Sequence, residues 1–301
     1  LKRIVEKGKK LGIRIGLWFN PSIQNDFADW QKDAQVIIGL YKEYGICCFK
    51  IDGLQIPTKT AEQNLRRLFD AVLAQTNHEV IFNLDATAGR RGGYHYMNEY
   101  GNIFLENRYT DWGNYYPYRT LRNLWMLSRY VPAEKMQIEF LNKWRNADKY
   151  STTDPFAPAR YSFDYLFAIT LAAQPLAWME ASNLPEEAYA TATLLKEYQP
   201  LQLQFHQGII LPIGEEHSGR SWTGFQSIVS DTQGYLIIYR EDNDIAKRTI
   251  DTWLPEGKKV TFTPLMGNGK KFVAEVGVQG KVSFELNDKN SFTLYQYQVK
   301  P

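Results

Sequence analysis

Lys50 and Asp52 stand two residues apart at the end of the short apolar run Cys47-Cys48-Phe49-Lys50-Ile51-Asp52-Gly53. A run of that length, bounded by Gly45 and Gly53, reads as a buried parallel strand. Side chains two apart on a strand share one face, so the ammonium and the carboxylate project together. At the C-terminal end of a barrel strand, that is where such enzymes place their chemistry. The pattern returns along the chain: Trp18 and Asn20, Asn83 and Asp85, Glu106 and Asn107, Asn142 and Trp144, Trp178 and Glu180 all end apolar runs. Two carboxylates on strands separated by one intervening strand can face each other across a barrel mouth. Glycoside hydrolysis with retention needs that geometry: one carboxylate attacks the anomeric carbon, and the other, ~5 Å away, protonates the leaving oxygen. A lysine two residues before the attacking carboxylate helps to hold it ionised and can donate to a sugar hydroxyl.

Alternating strands and helices must position these ends. The opening helix stops at Gly12, and residues 13–20 follow as a strand closed by Pro21. Ala34, Ile37, Ile38 and Tyr41 form a helical stripe leading into the Asp52 strand, which completes a βαβ unit. Leu65, Leu68, Phe69 and Val72 repeat the helix before a strand over 79–85, whose exit is the glycine-rich loop 88–93. Further strands are expected at 102–107, 136–142 and 175–180, with helices over 119–129, 162–173 and about 186–198. Regular alternation predicts a parallel sheet. A (β/α)8 barrel of the TIM type needs eight such units and six are present, so the first two βα units are expected upstream, in a longer protein. Any signal peptide would lie there too, which leaves localisation open to a periplasmic or secreted protein. From about residue 205 the texture changes to short alternating runs separated by Gly and Asp/Asn, predicting an antiparallel β-sandwich. The expected domains are therefore a catalytic barrel over 1–204 and a β-sandwich over 205–301.

Composition narrows the function. Of 301 residues 44% are hydrophobic and the net charge is only +2, which gives no electrostatic reason to expect nucleic acid. No run reaches the ~18 apolar residues of a membrane span. The 8 Trp and 19 Tyr suit a sugar ligand, held by aromatic faces and neutral hydrogen bonds. Cys47 and Cys48 are the only cysteines and are adjacent in a strand that sends successive side chains to opposite faces, which excludes a disulfide framework. His78, His95, His206 and His217 lack metal-ligand spacing, so no metal is expected. The glycines of loop 88–93 form neither a dinucleotide nor a P-loop motif.

The order Gly16-Leu17-Trp18, then Lys50-Ile51-Asp52, then a Gly/Arg-rich loop and an acidic strand end resembles the retaining α-galactosidase clan, glycoside hydrolase families 27 and 36. The resemblance implies a barrel followed by a C-terminal β-domain, an oligosaccharide or glycoside substrate, no cofactor, and Asp52 as nucleophile. It implies substrate contacts from Trp18, Lys50, Asn83, Asp85 and Asn107, and from Arg91 or its neighbour Arg90 at the end of the glycine-rich turn. The segment 142–148 resembles a substrate loop of the clan, and Trp144 within it could stack on a sugar face. The acid/base departs from the pattern. Members end the corresponding strand in Trp-Thr-Ser-Asp, whereas Phe104-Leu105-Glu106-Asn107 sets Asn107 at or beside the acid's position, and an asparagine cannot transfer that proton. Glu106 is the first candidate, because strand ends position groups better than loops. Asp111, in the following loop, is the second. Two further readings stand beside an α-galactosidase-like hydrolase: a retaining glycosidase or transglycosylase for another α-linked sugar, and a carbohydrate-binding barrel without catalysis. The sequence sets neither the sugar nor the oligomeric state.

Overall fold

The computed structural model describes residues 1–86, 97–105, 109–180 and 183–300. The chain forms two compact units, Leu1–Asn107 and Arg108–Pro301. In the first, β1 (Gly16–Phe19), β2 (Cys48–Ile51), β3 (Ile81–Leu84) and β4 (Gly101–Phe104) pair in parallel in that order. Helix α1 (Lys2–Lys10) precedes β1, and α2 (Trp30–Tyr44) and α3 (Lys59–Gln75) connect the next strands. The stripes that predict these helices are their buried faces: Ala34, Ile37 and Ile38 on α2, and Leu65, Leu68, Phe69 and Val72 on α3. Gly45, at φ +70°, ends α2 in the left-handed conformation that glycine adopts without strain, and the chain enters β2 three residues later. Thr58 begins α3 by accepting the Ala61 N–H at 3.0 Å on its hydroxyl oxygen. Loop 88–93 and the last residues of the 102–107 strand lie outside the described residues.

Cys47 precedes β2 instead of lying within it, and its Sγ sits 3.9 Å from that of Cys48. The two side chains therefore do not take the opposite faces expected of neighbours in a strand. Both thiols are free, and burial pushes that of Cys48 up.

The second unit begins with α4 (Pro117–Leu127), the parallel pair β5 (Met136–Phe140) and β6 (Gln174–Ala177), and helices α5 (Phe163–Ala168) and α6 (Glu186–His206). Helix α6 runs straight through Pro200, where the sequence predicts closure near Tyr198. A proline inside a helix costs about 3 kcal/mol. Buried Tyr198 and Phe205 anchor the helix on either side of it, and the Phe205 carbonyl accepts the Ser227 hydroxyl at 2.5 Å.

An antiparallel β-domain follows. Its strands are β7 (Ile209–Gly214), β8 (Trp222–Ile228), β9 (Gln233–Arg240), β10 (Lys247–Asp251), β11 (Lys259–Gly267), β12 (Phe272–Glu275), β13 (Lys281–Glu285) and β14 (Ser291–Val299). Six of them form one sheet in the order β12-β11-β14-β9-β8-β7, while β10 and β13 form a separate ribbon. Trp222, Leu236, Ile238, Phe262 and Tyr295 of the sheet pack with Ile250, Val282 and Phe284 of the ribbon in one core. Among the described residues no helix is long and apolar enough to cross a membrane.

His217 is wholly buried in this domain, with Nδ1 3.2 Å from Glu241 Oε1 and Nε2 3.1 Å from the Thr223 hydroxyl. Burial lowers its pKa, against the opposing pull of Glu241, and burial likewise lowers that of His206. The unfolded chain thus binds these protons more readily than the folded chain. Their stabilisation is complete above the ordinary histidine value of ~6.5 and is lost as pH falls below it. The urea midpoint is expected to be lower at about pH 5 than at about pH 7.5, and an unchanged midpoint would show that both imidazoles protonate freely in the folded state.

Candidate active site

The register of β1 to β4 carries one row of side chains across the sheet. Trp18 lies opposite Lys50, Lys50 opposite Asn83, and Asn83 opposite Asn102. Two residues further along, on the same face, come Asn20, Asp52, Asp85 and Phe104. The backbone ladder extends past the ends of the strands: Asp52 N–H donates to Phe19 O at 3.0 Å and Asp85 N–H to Ile51 O at 2.8 Å. Both carboxylates are thus carried on fixed backbone, as a site requires.

Lys50 is the centre of this face. Its Nζ lies 4.2 Å from the Trp18 ring centroid, 4.8 Å from that of Phe104 and 3.9 Å from Asp85 Oδ2. Two aromatic faces and a carboxylate thereby replace the water that an ammonium normally keeps. Burial lowers the Lys50 pKa, while Asp52 and Asp85 act in the opposite direction. Asp85 is buried, whereas the Trp18 side of the row is open, with that residue 57% exposed.

Asp52 is half-buried and lines a cavity of about 500 Å³ with Asn20, Pro21, Phe27, Gly53 and Gln55. Gly53, at φ +68°, turns the chain sharply after the strand and donates its N–H to Asp52 Oδ1 at 2.9 Å. Another wall is a turn in which Asn25, Asp26 and Phe27 have φ of 49°, 59° and 62°. Consecutive left-handed residues other than glycine cost about 1–2 kcal/mol each. Burial of Phe27 and a hydrogen bond from Asn64 Nδ2 on α3 to Asp26 O, at 2.9 Å, hold the turn in place. Sequence reasoning missed this wall, as it missed Asn102 and Gln55. Its only local signal is the Asn-Asp pair, the types that best tolerate left-handed backbone.

The second unit carries its own cluster. Asp111, in a short 3-10 turn (Thr110–Trp112), receives Arg145 Nε at 3.0 Å and Asn146 Nδ2 at 2.6 Å on Oδ1, and Arg145 Nη2 at 3.4 Å on Oδ2. Arg145 also pairs with Glu180, which lowers the Glu180 pKa. Trp144 is half exposed; its indole N–H donates to Glu187 and its ring lies 4.9 Å from Lys143 Nζ. Tyr109 stacks on Trp178 at 5.8 Å and meets Trp112 edge-on at 4.9 Å. Of the residues singled out from the sequence, Trp18, Lys50, Asp52, Asn83 and Asp85 share one face of one unit, and Asp111 and Trp144 belong to the other unit's cluster. Arg91, Glu106 and Asn107 lie outside the described residues. Among the described residues no three His, Cys, Asp or Glu side chains converge to hold a metal ion.

No protein-family model and no curated protein sequence matches the chain. Solved structures do. A glycoside hydrolase family 36 α-galactosidase of Geobacillus stearothermophilus, solved with 1-deoxygalactonojirimycin, aligns at TM-score 0.71 and 11% identity, covering 100% of this chain and 46% of its own. A family 27 β-L-arabinopyranosidase of the same organism aligns at 0.64 and 12%, over 100% of this chain and 77% of its own. An α-amylase of Geobacillus thermoleovorans in complex with acarbose aligns at 0.55 and 11%, over 90% and 64%. The chain therefore spans less than half of the first of these proteins and about three quarters of the second. The fold it shares with the first two is a (β/α) barrel followed by a β-domain, as the sequence predicts.

Proposed function

We propose that the chain is part of a retaining glycoside hydrolase that removes terminal α-linked sugars, α-galactosidase-like in type, with Asp52 as its nucleophile. The observation that carries the reading is Asp52 itself. It stands at a strand end in a cavity, next to a cation that two aromatic rings and Asp85 hold in place. Asp52 attacks the anomeric carbon as the glycosidic bond breaks, and an acid gives its proton to the leaving oxygen. Water then attacks the glycosyl-aspartate, delivering its proton back to that acid. Trp18, Lys50, Asn83 and Asp85 line the substrate face in this reading, with Arg91, Asn107 and Trp144 as further contacts. Residues 1–204 form the catalytic barrel and 205–301 the β-domain. This division is supported by the end of α6 at His206 and the first antiparallel strand at Ile209.

The sugars named for the two family 27 and 36 neighbours guide the choice of substrate. An α-D-galactopyranoside and a β-L-arabinopyranoside share ring configuration and differ by one hydroxymethyl group, so both belong in a first panel. The test is to trap the full-length protein with 2-fluoro glycosyl fluorides of a broad panel and map the labelled peptide. Label on the Asp52 peptide supports the reading and names the sugar; label elsewhere rejects the nucleophile. No label, with sugar binding still measurable, favours a binding barrel without catalysis.

We assign the acid/base role to Glu106. The alternative, Asp111, has both carboxylate oxygens engaged by Arg145 and one also by Asn146. Glu106→Gln is expected to slow hydrolysis of glycosides with poor leaving groups by about 100-fold or more, while activated aryl glycosides, which need little protonation, are largely spared. Finding that pattern in Asp111→Asn instead would transfer the role.

A further inference from the structure

The antiparallel domain holds a cavity of about 330 Å³ lined by Lys247, Lys270 and Lys271 together with Phe272 and Tyr295. We propose that it binds an anionic pyranose, a sugar residue bearing a carboxylate or a sulfate. Lys247 opens β10 of the ribbon, whereas Lys270 and Lys271 lie in the turn between β11 and β12 at the edge of the large sheet. Cations from two separate sheets thus meet at one opening.

Three cations outnumber the single carboxylate of the lining, Glu285, which lies opposite Lys247 in the ribbon. Elsewhere in the domain Lys289 bridges Asp242 and Asp244, and Arg248 pairs with Glu215. No described carboxylate lies within 4.0 Å of Lys247, Lys270 or Lys271. A group of like charges in excess over the carboxylates beside it favours an anion.

The remaining lining argues for a sugar instead of a bare anion. Phe272 is half-buried and fixed, stacked on Phe262 at 4.6 Å and edge-on to Phe284 and Tyr295 at 5.7 and 5.8 Å, so it offers a rigid apolar surface. Ring C–H groups use such a surface and an inorganic anion does not. Tyr295 reaches the turn closely: a Cβ on Gly269 would come within 2.0 Å of its hydroxyl oxygen, so glycine is what admits the phenol there. Glu285, the one acidic residue of the lining, is an acceptor that the hydroxyl groups of a sugar can use and an inorganic anion cannot. The volume suits a single ring, at the small end of ligand cavities. Nothing in this argument involves Asp52.

The test is calorimetric titration of the full chain with four probes: methyl galactopyranosiduronate, galactose 6-sulfate, methyl galactopyranoside and inorganic sulfate. The expected result is saturable binding of one or both acidic sugars, weakened by added salt. Lys270→Ala/Lys271→Ala is expected to reduce that affinity at least about tenfold, with Lys247→Gln on the opposite sheet reducing it separately. All three lysines are exposed, so these variants keep the fold. Whichever acidic sugar binds identifies the natural anionic group. Equal affinity for the neutral sugar, sulfate binding as tightly as the acidic sugars, affinity unchanged in both variants, or no binding at all would each overturn the proposal.

Discussion

Asp52→Asn is expected to lower glycoside turnover by roughly 10⁴-fold or more, on the order of 5 kcal/mol of transition-state stabilisation. The change is nearly isosteric. The amide oxygen can still accept the Gly53 N–H that now lies 2.9 Å from Oδ1, and the Asp52 N–H to Phe19 O bond is untouched, so the strand end keeps its shape. An uncharged amide oxygen, however, cannot form the covalent glycosyl intermediate, nor stabilise the positive charge that develops on the ring as the leaving group departs. The effect should therefore fall on kcat, with sugar affinity retained and the melting temperature close to the parent's. Activated aryl glycosides are the substrates of choice, because their departure needs little help from any acid. A variant retaining more than about a tenth of parent turnover would remove Asp52 from the nucleophile's role.

Glu241→Ala is expected to cost about 3–5 kcal/mol of stability. Glu241 is 1% exposed. Its Oε2 accepts the N–H groups of Ser218 and Ser221 at 3.2 and 2.8 Å, and its Oε1 faces His217 Nδ1. The N–H of Glu241 itself donates to Ser221 O, so the carboxylate and its backbone together tie the 215–221 loop to the end of β9. Truncation would leave two backbone donors and an imidazole nitrogen buried without the carboxylate they now face. Chemical denaturation followed by tryptophan fluorescence, to which Trp222, buried in the same domain, contributes, measures the loss. A decrease below about 1 kcal/mol would mean that the loop refolds around other acceptors.

Much of the first unit can be read from its sequence because two periodicities dominate there. Ala34, Ile37 and Ile38 recur at helical spacing, Lys50 and Asp52 at strand spacing, and glycine punctuates the junctions. Features created by tertiary packing leave no such trace. β10 has a single buried residue, Ile250, in five, so it does not stand out from a polar loop, and β12 is only four residues long, with Phe272 and Ala274 packed against the core. Pro200 argues locally for a helix end, and Tyr198 and Phe205 overrule it through contacts distant in sequence. The candidate site divides in the same way. Its strand-borne members follow from alternation, but the occupation of both Asp111 oxygens by side chains 34 and 35 residues away is invisible in the sequence.

The left-handed turn at Asn25, Asp26 and Phe27 also bears on the order in which the molecule is assembled. An unfolded chain rarely visits three such conformations in succession, and no glycine lightens the cost. What holds the turn comes from afar: Asn64, 38 residues later, and the buried seat of Phe27. The cavity wall can thus be completed only once α3 has docked, which makes a finished binding surface a late product of folding. The dependence persists in the native protein, where the α3 side chain Asn64 still holds the backbone of the turn beside the cavity that Asp52 lines.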